Sequence, residues 1–221
     1  MTMRKEYTQE METLHNNMIR IGSLVEKSMD QARETLENYD DDLAIKVIAN
    51  DDVIDQLVLE VTHECILLIA KQQPVASDLR DIIANLKLAT DFERMADNAE
   101  DVCVNVRYMI SSGYRLPLPK DMIRMFEEAK TMARVAMDAY VTRDREKAMQ
   151  VLKRDDVVDQ LYELTLNQLV QAMKDDSKSI NGYLSLVMVA KHVERFADHA
   201  ENVAEWVIYY LEGALDVKVQ E

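Results

Sequence analysis

Glycine and proline are nearly missing from this chain, which holds 4 Gly and 3 Pro in 221 residues. Turns are therefore few, and many short strands joined by tight hairpins are excluded in favour of a few long helices. Aromatic residues are scarce as well, at 6%. The 2 cysteines, Cys65 and Cys103, form no CxxC pair and fall inside helical patterns, so they read as buried reduced thiols. Positive charge is in deficit, with 26 Lys and Arg against 41 Asp and Glu and a net charge of −15. That balance excludes nucleic acid and anionic lipid as bulk partners, since both would be repelled. It suits a bound cation or a basic protein surface. The longest apolar run, Cys65 to Ala70, falls far short of the ~20 residues that cross a bilayer. The opening MTMRKEYTQE has no apolar signal core. A soluble cytoplasmic protein with no membrane insertion is the expectation. No Gly-rich phosphate loop is present, and no Ser/His/Asp or Cys/His set stands at a recognisable spacing.

What is present is helical periodicity. Tyr7, Met11, Leu14, Met18, Ile21, Val25, Ala32 and Leu36 form one apolar stripe over residues 1–37. Asn38-Tyr39-Asp40 breaks it, with Asp41 read as the cap of a second helix that ends before Pro74. A third helix is expected over about 77–112. The segment SSGYRLPLP, residues 111–119, is the strongest linker signal. Three further helices follow, over about 120–141, 144–174 and 179–211. The fold class is all-α: six long helices in two tandem antiparallel three-helix bundles, 1–112 and 120–221, joined by a linker at 113–119.

The chain is internally duplicated. DDVIDQL at 51–57 returns as DDVVDQL at 155–161, and ERMADNAE at 93–100 returns as ERFADHAE at 194–201. A period of about 100 residues indicates two equivalent units, hence two equivalent sites. The first pair aligns at an offset of 104 and the second at 101, so the second unit is three residues shorter, most simply in the turn between its last two helices.

The repeated segments are acidic, and an acidic pair four apart is ordinary among 41 acidic residues. Three features set these apart. A hairpin turning near Pro74 sets Asp55 level with Glu93 and Asp51 with Asp97; one turning near Asp176 sets Asp159 level with Glu194 and Asp155 with Asp198. Several of the acids, Glu100 and Glu201 included, interrupt the apolar stripe, where carboxylates are costly unless paired or coordinated. Finally, each group of four or five acids has one clear local cation, Arg94 or Arg195. A multivalent cation would relieve the repulsion, and all-oxygen ligands favour hard ions such as Mg, Ca, Mn or ferric Fe. Asp51, Asp55, Glu93, Asp97 and Glu100 are the candidate ligands in the first unit, with Asp155, Asp159, Glu194, Asp198 and Glu201 in the second. Ala96, Ala99, Ala197 and Ala200 would let the helices approach closely.

At these residues the sequence resembles the PhoU family, whose members carry two three-helix repeats with E(D)xxxD motifs. PVASDLRDIIANLKLATDFERMADNAEDV and VERFADHAENVAEWVIYYLEG carry the likeness, which spans nearly the whole chain. The resemblance implies a non-enzymatic regulator of phosphate uptake. It implies contact with a phosphate ABC transporter, through its ATPase subunit, and with a membrane sensor histidine kinase, repressing the phosphate-starvation response. It also implies iron or zinc at the motifs, a homodimer, and a place at the inner face of the membrane through protein partners. Asp78-Leu79-Arg80 matches the family in the first repeat, whereas the second reads GYLSL, so any role of Arg80 is not duplicated.

Two other readings stand beside it. A ferritin-like di-iron enzyme would use the ExxH pairs Glu12/His15 and Glu60/His63, with His15 facing His63. It lacks the two further Glu that such a site requires, since the level of His63 projects to about Asn85 on the third helix. A metal-free helical adaptor would use the 14 Met for adaptable contacts, although Met on helical stripes is usually core.

Overall fold

The computed structural model describes residues 2–213, with side chains from Tyr7 onward. Six α-helices form: α1 (Thr2–Asn38), α2 (Asp41–Gln72), α3 (Ala76–Ser111), α4 (Lys120–Thr142), α5 (Arg145–Asp175) and α6 (Ile180–Glu212). A 3₁₀ turn, Ser177–Ser179, precedes α6, and no strand occurs among the described residues.

The α1–α2 and α4–α5 turns are built alike. Tyr39 and Arg143 take left-handed φ values of 53° each, reversing the chain. The following aspartate then caps the next helix, supplying an acceptor to amides with no intrahelical partner. Asp40 accepts from the Leu43 amide at 3.0 Å, and Asp144 from those of Glu146 and Lys147 at 2.9 and 3.2 Å. The cap of α2 is thus Asp40 rather than Asp41. Asp41 is already helical, and its carboxylate takes the Arg107 guanidinium at 2.7 Å.

Two of the three missing residues fall in the turn and the third at the end of α5, which has 31 residues where α2 has 32. Gln73, Pro74 and Val75 separate α2 from α3, whereas Asp176 alone separates α5 from the 3₁₀ turn that leads into α6. The linker is anchored rather than loose. The Tyr39 hydroxyl donates to the Leu116 carbonyl at 3.0 Å and accepts from its amide at 2.9 Å. Tyr114 and Leu116 lie so close to Gly182 on α6 that a Cβ there would sit 2.8 Å from both side chains.

Within each repeat the helices pack as expected, α2 on α1 and α3, α5 on α4 and α6. The most extensive interface, however, is α3 against α6, which joins the two repeats. Asp91 pairs with His199 and Asn98 with His192, so the two helices run antiparallel. Each three-helix unit therefore buries part of its surface against the other. Phe92, Phe126, Phe196, Leu14 and Leu88 are core residues, and each such burial contributes about 1.5–3 kcal/mol. Met18, Met29, Met95, Met109, Met122, Met125 and Met132 are fully buried, so much of the methionine is gap-filling core.

Candidate metal centres

Side chains one helical turn apart share a face, so each acidic motif presents a short column of carboxylates. In the first repeat α2 supplies Asp51 and Asp55, and α3 supplies Glu93, Asp97 and Glu100. Ala96 and Ala99 are fully buried beneath them and keep the two helices close. Ligand oxygens of Asp51, Asp55 and Asp97 all lie within 4.8 Å of one another.

The facing expected from the hairpin, Asp51 with Asp97 and Asp55 with Glu93, is present and is extended by further neighbours. Asp97 serves both Asp51 and Asp55, while Glu100 is the charge that acts most on Asp51. Asp55 still lies beside Glu93. In the second repeat Asp155 is the acid that acts most on Glu201, and Asp159, Asp198 and Glu194 act on Asp155. Packed helices set side chains into the gaps of their neighbours, so one carboxylate meets more than one acid of the facing helix.

Electrostatics follow from this crowding. Asp51 is only 9% exposed. Burial, then the charges of Glu100, Asp55 and Asp97, push its carboxyl up to about 7. Burial raises Glu93, Glu100 and Asp55 as well, each reinforced by neighbouring acids. In the second repeat burial, then Asp159 and Asp198, lifts Asp155 to about 6, and burial, then Asp155, lifts Glu201 to about 7. Asp198 is raised by burial and then by Glu194. Asp159 is exposed at the rim. Asp51 Oδ1, Asp55 Oδ1 and Asp155 Oδ1 are buried atoms with no hydrogen-bond partner. Orphaned acceptors beside like charges fit a hard cation, which would take several such oxygens at once.

The cations differ from expectation. Arg94 reaches Asp97 at 3.3 Å from an exposed position. Arg195 is exposed and makes no ion pair among the described residues. The local cation of the second cluster is Lys191, paired with Glu194 at 2.5 Å. Arg80 belongs to neither cluster. It stands about 20 Å along α3 from Glu93. Its guanidinium packs on Gly213, the left-handed cap of α6, at φ +76°.

Further polar groups tie the repeats together across the α3–α6 seam. His192 Nδ1 lies 3.2 Å from Asn98 Oδ1 and 3.3 Å from Asp101. His199 Nδ1 lies 3.0 Å from Asp91 Oδ1, which also accepts from Asn202 at 3.3 Å. Asp91 and His192 are equivalent positions of the repeat, as are Asn98 and His199, so the seam has approximate two-fold symmetry. Motif spacing within one hairpin could not find these groups; the repeat alignment is the one signal that relates them. The ExxH residues do not converge. His15 points to Asp81 at 3.5 Å and stacks edge-on against Tyr140, while His63 is exposed.

A duplicated all-α scaffold with a carboxylate cluster in each repeat defines a two-repeat helical-bundle protein of the PhoU type. The PhoU domain model matches residues 18–106 and again 122–207. A phosphate-specific transport system accessory protein PhoU homolog of Clostridium acetobutylicum is 37% identical over 211 residues, covering 95% of this chain and 96% of the relative. The crystal structure of PhoU from Pseudomonas aeruginosa superposes with a TM-score of 0.90 at 33% identity, covering 94% of this chain and 100% of that one. The phosphate transport system regulatory protein PhoU from Streptococcus pneumoniae gives 0.87 at 26% identity, covering 95% and 98%. The chain belongs to the PhoU family. Its two matched segments fall one on each repeat.

Proposed function

We propose that this protein is a non-catalytic accessory regulator of phosphate uptake that holds metal in its carboxylate clusters. The regulatory reading is supported by the family and by relatives named as phosphate-specific transport accessory proteins. One observation carries the metal reading: Asp51, Asp55 and Asp97 converge within 4.8 Å while buried oxygens of Asp51 and Asp55 lack any partner. In the first repeat Asp51, Asp55, Glu93, Asp97 and Glu100 would hold the ion; in the second, Asp155, Asp159, Glu194, Asp198 and Glu201. Bound metal would supply the positive charge that the clusters lack, fixing α2 on α3 and α5 on α6. Iron, zinc, manganese, magnesium or calcium would each meet that need.

Its partners are the ATPase subunit of a phosphate ABC transporter and a membrane sensor histidine kinase, met at the inner face of the membrane by a homodimer. No described helix is long and apolar enough to cross a membrane, which agrees with attachment through proteins. The repeats, 1–112 and 120–221, act as two linked units around the 113–119 linker. The carboxylates would repel free phosphate, so phosphate status reaches the protein through its partners. Two measurements test this. Elemental analysis of protein purified without chelator is expected to find metal in the wild type and to lose it when both clusters carry Asn and Gln. Co-purification is expected to recover both membrane components; recovery of neither, with metal bound, overturns the regulatory reading.

A further inference from the structure

The two clusters occupy equivalent places but do not carry equivalent charge. Lys191 donates from Nζ to both oxygens of Glu194, at 2.7 and 2.5 Å. The same ammonium acts on Asp198, so it lies within the acidic column of α6. Its counterpart in the first repeat is Thr90, whose hydroxyl turns back to the Leu86 carbonyl at 3.1 Å and brings no charge. The first cluster therefore has, among the described residues, Arg94 alone, 57% exposed and in contact with Asp97. Among the described residues, the tight convergence of three carboxylates occurs in the first cluster and not in the second. In the same position the Lys191 ammonium stands 5.5 Å from the centre of the Tyr162 ring.

We propose that Lys191 is a tethered cation that competes with metal for Glu194, so that the first cluster loads tightly and the second weakly. Metal entering the second cluster displaces the ammonium from Glu194, and the Tyr162 ring it already faces remains as its contact. This rests on the metal reading given above. The physical basis is plain. Glu194 has no second carboxylate set to offer both cations, and a divalent ion beside an ammonium is repelled. Lys191 is 42% exposed, so the pair it makes is weak and can be broken by metal rather than excluding it.

The test is calorimetric titration of Mn²⁺ into full-length, chelator-stripped protein. Asp51→Asn with Asp97→Asn isolates the second cluster, and Asp155→Asn with Asp198→Asn isolates the first. The second cluster is expected to bind at least about tenfold more weakly than the first. Lys191→Thr is expected to close most of that gap, Lys191→Arg to preserve it, and Thr90→Lys to weaken the first cluster in the same way. Circular dichroism of the metal-free variants checks that each is folded. Equal affinity of the two clusters, or no effect of Lys191→Thr, overturns the proposal and leaves metal binding standing. Equal effects of Lys191→Thr and Lys191→Arg assign a packing role and overturn it too. No Mn²⁺ bound by the wild type removes the metal reading and this proposal with it.

Discussion

Replacing Asp51 by Asn is expected to make the metal-free protein more stable at pH 8 and to stabilise it by much less at pH 5. Asp51 is 9% exposed, and its carboxyl is pushed from 3.8 up to about 7 by burial and by Glu100, Asp55 and Asp97. In the unfolded chain it ionises near its ordinary value, so at pH 8 folding must carry a charge that the native site disfavours. Moving that carboxyl from 3.8 to about 7 corresponds to ~4 kcal/mol, and the neighbouring Glu100 shares the penalty, so about 2–4 kcal/mol is expected. Asn keeps the shape and a donor for Glu100 while removing the charge. At pH 5 Asp51 is protonated in the native state but still ionised in the unfolded chain, so folding must take up a proton and the same substitution relieves a smaller cost, about 1–2 kcal/mol. For a chain of this size the pH 8 gain amounts to roughly 4–16 °C in Tm. Urea unfolding followed by circular dichroism, with chelator present, measures both values. Adding Mn²⁺ should then reverse the order, stabilising the wild type and not the variant. A loss of stability at pH 8, or a gain of equal size at both pH values, would refute the reasoning.

Other outcomes follow from the same structure. Asp51, Asp155 and Glu201, raised to about 7, 6 and 7, contribute stability that is present below pH 4 and lost as pH rises through 6 to 7. Metal-free wild type should therefore melt higher at pH 5 than at pH 8, and saturating Mn²⁺ should flatten or invert that slope in calorimetry. Gly182→Ala should lower stability by about 1–3 kcal/mol, because the new methyl strikes Tyr114 and Leu116 of the linker. Proteolysis within residues 112–119 would report the displaced segment. Tyr39→Phe, which removes both hydrogen bonds to Leu116, should cost about 1–2 kcal/mol and increase cleavage at the same place. His63→Ala should leave stability and metal content unchanged by elemental analysis, since that side chain is exposed and meets no cluster.

Much of the fold is legible because helices declare themselves locally. The stripe from Tyr7 to Leu36, the linker prolines and the breaks at Tyr39 and Arg143 place α1 to α6 within a few residues. The cap of α2 is displaced by one residue because Asp40 and Asp41 are chemically interchangeable there, and only the left-handed turn at Tyr39 selects between them. The acidic positions were equally visible, since a repeated interruption of an apolar stripe is a local pattern. Their partners were less so. Heptad counting sets Asp51 level with Asp97, but a stagger of helix packing sends it to Glu100 as well. Arg195 looked like the counter-ion of the second cluster by analogy with Arg94, yet it points to solvent and Lys191 fills the role.

The sequence by itself determined six helices, a duplication and two acidic columns, because periodicity, caps and breakers act over a few residues. Tertiary structure alone decided what those columns meet. It brought α3 against α6 as the main interface, set His192 and His199 across it, and gave one cluster an internal ammonium that the other lacks. These outcomes depend on the crossing and stagger of helices far apart in the chain. A shift of half a helical turn changes every partner while leaving the local pattern untouched.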